Sequence, residues 1–132
     1  MTGLRTASPV IADLITALKP GIAGGRIGLA IPNAPTWPWV LLVRAGGLEL
    51  ESGVAWRDAI DVHCLAASIG DAETLAAATE RALLDLAGTT IGTTVLTAVQ
   101  TFNRPRWLPD TSYLPPQPRL VFSVAVTHHP TS

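Results

Sequence analysis

The stretch WRDAIDVHCLAA, residues 56–67, decides the fold. Within it Asp58, Asp61, His63 and Cys64 are the side-chain types of a Cys/His nucleophile pair or of a metal site. Its apolar residues, however, recur at every second position, and a strand sends alternate side chains to opposite faces. Trp56, Asp58, Ile60, Val62 and Cys64 then share one face, and Arg57, Ala59, Asp61, His63 and Leu65 share the other. His63 and Cys64 point apart, so a local dyad is excluded, and Cys64 is predicted to be a small buried hydrophobe. Asp61 and His63 share a face and can pair with each other or with Arg57. That pairing suits a structural or solvated site, or a contact between subunits.

Working outward toward the N-terminus, "WVLLVRA" (39–45) reads as a strand apolar on both faces, hence central or doubly covered. Gly46-Gly47 then opens a hairpin loop, "GGLELESG", in which Glu49 and Glu51 keep the tip soluble. "RIGLAI" (26–31) reads as a short strand, and "PNAPTWP" (32–38) as a proline-rich loop. Residues 8–18 have helical spacing, with Ser8 as N-cap, Pro9 in the first turn and Pro20-Gly21 as the stop. Toward the C-terminus, Asp71 is predicted to cap a helix over 72–87. Its stripe is Leu75, Ala78, Ala82, Leu83 and Leu86, and it ends at Gly88. "GTTVLTAVQTF" (92–102) and "RLVFSVAVT" (119–127) read as strands, and "HHPTS" as a frayed tail.

These elements fit one domain over residues 1–132. It is α+β, with a mainly antiparallel sheet of four to five strands, two amphipathic helices on one face, and the order α-β-β-β-α-β-β. The row Leu120, Phe122, Val124 and Val126 suits the helix-covered side. The opposite row, Val121, Ser123, Ala125 and Thr127, is small and half apolar, unlike a sheet face in bulk water. Two coverings fit that row: another subunit, or the loop 103–118 folded back. That loop holds Arg104, Arg106, Trp107 and Tyr113 among five prolines, and aromatic and Arg anchors on a stiff loop suit a protein interface. Trp37 and Trp39 have the same character.

Charged residues make up only 14% of the chain, against about 25% in an average soluble domain. So little charge suits a domain that hides surface against a partner. The net charge of −1 argues against an electrostatic nucleic-acid footprint. One cysteine forms no internal disulfide. No apolar run approaches the length of a membrane span, and Asp13 interrupts "VIADLITAL", so neither a membrane segment nor a secretory signal is expected. The three histidines have no metal-ligand spacing, and the glycines match neither a dinucleotide fingerprint nor a P-loop. No cofactor, metal or catalytic constellation is expected.

The order and spacing of "IPNAPTWPWVLLVRAGG", "AWRDAIDVHCLAAS", "DAETLAAATERALLDLAG" and "QPRLVFSVAVT" resemble the tail terminator (tail completion) proteins of long-tailed bacteriophages. The resemblance implies a structural, non-enzymatic virion protein located in the tail or neck. Such proteins form a ring, typically of six subunits, on the finished tail tube. They stop its polymerisation and offer a surface for head joining. The implied partners are further copies of the chain, the tail tube protein and a head-completion or connector protein, with DNA passing only transiently. Trp37, Trp39, Glu49, Glu51, Asp61, His63, Arg104, Arg106, Trp107 and Tyr113 are the candidate interface residues. The alternatives are a head-completion or connector protein nearer the portal, a small hydrolase using Asp61 and His63, or a monomeric binding module using the aromatic loops.

Overall fold

A computed structural model of the chain describes residues 10–51 and 54–131. Along the chain run helix α1 (Val10–Leu18), strands β1 (Ile27–Gly28), β2 (Trp39–Glu51) and β3 (Ala55–Leu65), and helix α2 (Ile69–Leu84). Strands β4 (Thr90–Ile91), β5 (Thr94–Trp107) and β6 (Arg119–Pro130) follow. The six strands form one sheet in the order β1-β2-β3-β6-β5-β4. β1 and β2 are parallel, and the other four pairings are antiparallel. The α+β class therefore holds, but the sheet is mixed. It has six strands rather than four or five, and the chain order gains β4 between α2 and β5.

β3 and β6 lie at the centre and carry the core. Ile60, Val62 and Cys64 of β3, and Phe122, Val124 and Val126 of β6, are wholly buried beneath the helices. Val40 and Leu42 of β2 and Leu96 of β5 complete the row. Val10, Ile11, Leu14 and Leu18 of α1 and Ala72, Ala76 and Leu83 of α2 pack on it. Full burial of one such Leu, Ile, Val or Phe stabilises the fold by about 1.5–3 kcal/mol. The small Ala72 and Ala76 let α2 lie close to the sheet. Its buried stripe thus runs Ala72, Ala76, Thr79, Glu80 and Leu83, while Leu75, Ala82 and Leu86 are only partly buried and Ala78 is exposed.

Several element ends differ from the sequence reading, each for a local reason. Ser68, not Asp71, caps α2, since its hydroxyl accepts from the Asp71 amide at 3.1 Å and leaves Asp71 in the first turn. The helix ends at Leu84, before Gly88, whose φ of +82° belongs to the turn that follows. α1 is described from Val10 onward, and the proposed cap Ser8 and first-turn Pro9 lie outside the described residues.

The strand expected over 26–31 shrinks to Ile27–Gly28. Arg26 turns back instead, donating from Nε to the Pro38 carbonyl at 2.9 Å and pinning the proline-rich loop. β2 is buried on one face only, because Val43 is exposed while Val40 and Leu42 are not. It also does not stop at Ala45. Gly46 adopts φ +123° at a bulge, a conformation open to glycine, and the strand continues through Glu51. Glu49 and Glu51 are thus strand residues, opposite Trp56 and Ala55, rather than loop residues.

β5 likewise runs past Phe102 to Trp107, through Pro105. The proline is tolerated because its side of β5 has no further strand there among the described residues, and it sits in a register irregularity between Asn103 and Arg106. Finally, the tail is not frayed at its start, since β6 extends through His128 and His129 to Pro130.

Candidate interaction face and its edges

The strand pairings set side chains on the helix-free face in four cross-strand rows over β2, β3, β6 and β5. They are Leu41–His63–Val121–Arg106, Val43–Asp61–Ser123–Asn103, Gly46–Ala59–Ala125–Gln100 and Leu48–Arg57–Thr127–Ala98. The centre of this face is floored by Ala59 and Ala125. Leu48 and Phe102 stand on either side, each 54% exposed, and enclose a shallow depression.

One end of the face is polar. Ser123 donates to Asp61 Oδ1 at 2.5 Å. Arg119 Nη1 lies 3.3 Å from His63 Nδ1 and 3.6 Å from Asp110 Oδ2. Burial and the nearby Arg119 guanidinium hold the His63 pKa below its usual 6.5, against the pull of Asp61 and Asp110. A lowered His pKa means that the unfolded chain takes up the proton first. Stability from His63 is present above pH 6.5 and declines as pH falls below it. At Asp110 burial opposes ionisation, but the Ser112 hydroxyl and amide, followed by Arg119, outweigh it and hold the carboxyl below its ordinary value.

The candidate residues separate into groups. Asp61, His63 and Arg106 share this polar end. Trp37 and Tyr113 meet edge to face with ring centroids 5.4 Å apart, where the β5–β6 connection reaches back to the start of β2. Trp39 is partly buried opposite Leu65, and Trp107 is opposite Leu120, at the β5 end of the sheet. Arg104 turns toward α2, where one guanidinium nitrogen bonds both oxygens of Glu80 at 2.9 and 2.8 Å. Glu49 and Glu51 lie far along β2, at the opposite end of the sheet from His63.

The residues 108–118 reach the helix-free face at its His63 end, where Asp110 meets Arg119 and Val121 and Ser123 are buried. The segment is tied to the sheet end by the Asp110–Gln117 bridge, and by the Gln117 amide donating to the Ala66 carbonyl. Cys64 is on the other side of the sheet, fully buried, and burial pushes its thiol up to about 12.

The sequence reading missed a second polar cluster, on the helix-covered side. Asp58 is nearly buried and His128 wholly so, with His128 Nε2 2.6 Å from Asp58 Oδ2. Arg44 Nη1 donates to the other oxygen, Oδ1, at 2.6 Å. Trp56 stacks on the His128 ring, with centroids 6.1 Å apart. Gly47 faces Asp58 across the β2–β3 pair, and a Cβ there would come within 2.7 Å of both Asp58 Oδ1 and the Arg57 carbonyl. The carboxylate thus occupies the space that a side chain at 47 would fill. The available signal was Asp58 itself, an acid in the row of Trp56, Ile60 and Val62, which burial obliges to find partners.

The class that fold and face define is an α+β domain with one helix-covered sheet face, one bare face and two long sheet edges. Compared with known protein families and with curated proteins, the chain matches none.

Proposed function

We propose that this protein is a structural virion component that caps a phage tail tube as a ring, ends tube polymerisation and presents the head-joining surface. The reading rests on the order of segments that resembles tail terminators. The observation that carries it is the bare sheet face, where Leu41, Ala59, Ala125 and Phe102 stand without a helix above them. A ring subunit meets two neighbours through two different patches, and such contacts close by rotation. A chain with only 14% charged residues suits that burden.

The geometry around Asp61 and His63 favours packing over chemistry. Asp61 accepts from Ser123, and His63 faces the Arg119 guanidinium rather than a nucleophile. Removal of the gene from its phage is the test. Tails of uncontrolled length that fail to join heads are expected. Normal tail length overturns the terminator reading, and a joining defect alone favours a connector nearer the portal.

A further inference from the structure

The sheet ends in two open edges. On β2, β1 covers only Val40 and Leu41, so the outer side from Leu42 to Glu51 has no strand beside it among the described residues. On β5, β4 covers Thr94 and Val95, and the turn before it bonds both backbone groups of Leu96, so the outer side from Thr97 to Trp107 is likewise open. Such an edge presents rows of backbone donors and acceptors, and another strand edge is the group that satisfies them. Bulges interrupt both edges, but Gly46–Glu49 and Ala98–Thr101 keep regular register.

We propose that the free edge of β2 takes the free edge of β5 from a second copy of this chain, antiparallel and head to tail. Direction comes first. β2, β3, β6 and β5 alternate, so β2 and β5 run in opposite senses. A copy rotated about an axis along the strands then brings its β5 beside β2 antiparallel, and repetition of that step can close a ring.

Shape comes next. Setting Glu51 against Thr97 puts Phe102 of one copy opposite Gly46 of the next, with Leu48 one step on along the same face. The space where Gly46 would carry a side chain is empty, with no atom within 4 Å, and an aromatic ring from a neighbouring strand fills such a gap well.

Backbone chemistry also favours the unlike pair, since pairing β5 with another β5 places Pro105, which has no amide donor, on both strands, and pairing it with β2 places it on one only. The arginines that face each other in this pairing, Arg44 of β2 and Arg104 of β5, are already bound to Asp58 and Glu80 of their own copies. The contact deepens the ring reading, which supplies closure, but it can be tested apart from it.

The test uses two variants of the full chain with one added surface cysteine each, Leu48→Cys and Gln100→Cys, which the pairing sets opposite each other with Phe102 left in place, at high concentration with a short bis-maleimide. The buried Cys64 stays unmodified as long as the protein is folded. A cross-linked dimer is expected when the two variants are mixed, at least tenfold above either variant alone, and a ladder is expected from the double variant. Dimers from Leu48→Cys alone overturn the proposal in favour of a two-fold β2–β2 pair, and no cross-link in the mixture overturns it outright. If cross-links form while tails lacking the protein keep normal length, the edge contact stands and the terminator reading falls. The reverse pair of results removes only the edge contact.

Discussion

Asp58 shows how one residue can be placed correctly by pattern and still be misjudged. The alternation through WRDAIDVHCLAA puts it on the helix-covered face, where it lies. Its partners are distant in sequence and carry ordinary local meanings. His128 stands near the C-terminus beside a second histidine, and Gly47 belongs to a Gly-Gly pair that locally signals a turn. Tertiary need overrides both signals, because a carboxylate placed under the helices requires donors and room. Asp58→Ala removes the only hydrogen-bond partner of the His128 ring among the described residues and leaves Arg44 unpaired. Leaving a buried polar group unsatisfied costs about 1–3 kcal/mol. Urea unfolding is expected to show a loss in that range, with an unchanged slope. A loss below about 0.5 kcal/mol, the size of an ordinary surface change, means that the cluster contributes little to the fold.

At the scale of elements, what was legible depended on how strict the local pattern is. β3 has a clean period of two, so the strand expected over about 55–66 is observed at Ala55–Leu65. β2 and β5 ran longer than expected, because Gly46-Gly47 and Pro105 are breakers in isolation and are accommodated at bulges on open edges. Pattern alone cannot distinguish a loop from the end of a strand that has only one neighbour. α2 shows a competition of another kind. Ser68 and Asp71 are both good caps three residues apart, and the extended φ of −140° at Ser68 settles which one begins the helix. Ser68→Ala is expected to cost about 1 kcal/mol, whereas Asp71→Ala removes only a first-turn charge, worth about 0.3–1 kcal/mol at low salt. Thermal melts in low and high salt separate the two, since only the Asp71 effect should shrink as salt rises. Equal salt sensitivity of both variants would assign the cap wrongly.

Across the whole molecule, polarity is distributed unequally. Both helices and most of the buried area lie on one face of the sheet, and on the helix-free face Asp61, His63, Arg119 and Ser123 form a polar cluster at one end, with Arg57, Gln100 and Thr127 toward the other. The rest of that face, with Leu48 and Phe102 beside the two open edges, is left to water in an isolated copy. Candidate interface residues could be named from sequence because aromatic and Arg side chains mark such surfaces by type. Leu48 and Phe102 were not among them, since the expected loop at 46–53 and the expected strand end at 102 hid that they flank open edges. These two side chains support little of the monomer fold, being half exposed, so replacing them should leave it intact. Leu48→Lys and Phe102→Lys together are expected to change monomer stability by no more than about 0.5 kcal/mol. They also place a charge at each edge, a common protection against strand pairing. Sedimentation velocity over a concentration series should show the native chain associating and the double variant remaining monomeric, with matching melting curves. Association that survives both lysines would move the self-contact away from the edges, to the polar end around Asp61, His63 and Arg106. A melting temperature lowered by more than about 4 °C, the shift expected from about 1 kcal/mol in a domain of this size, would show that the two residues serve the monomer rather than its neighbours.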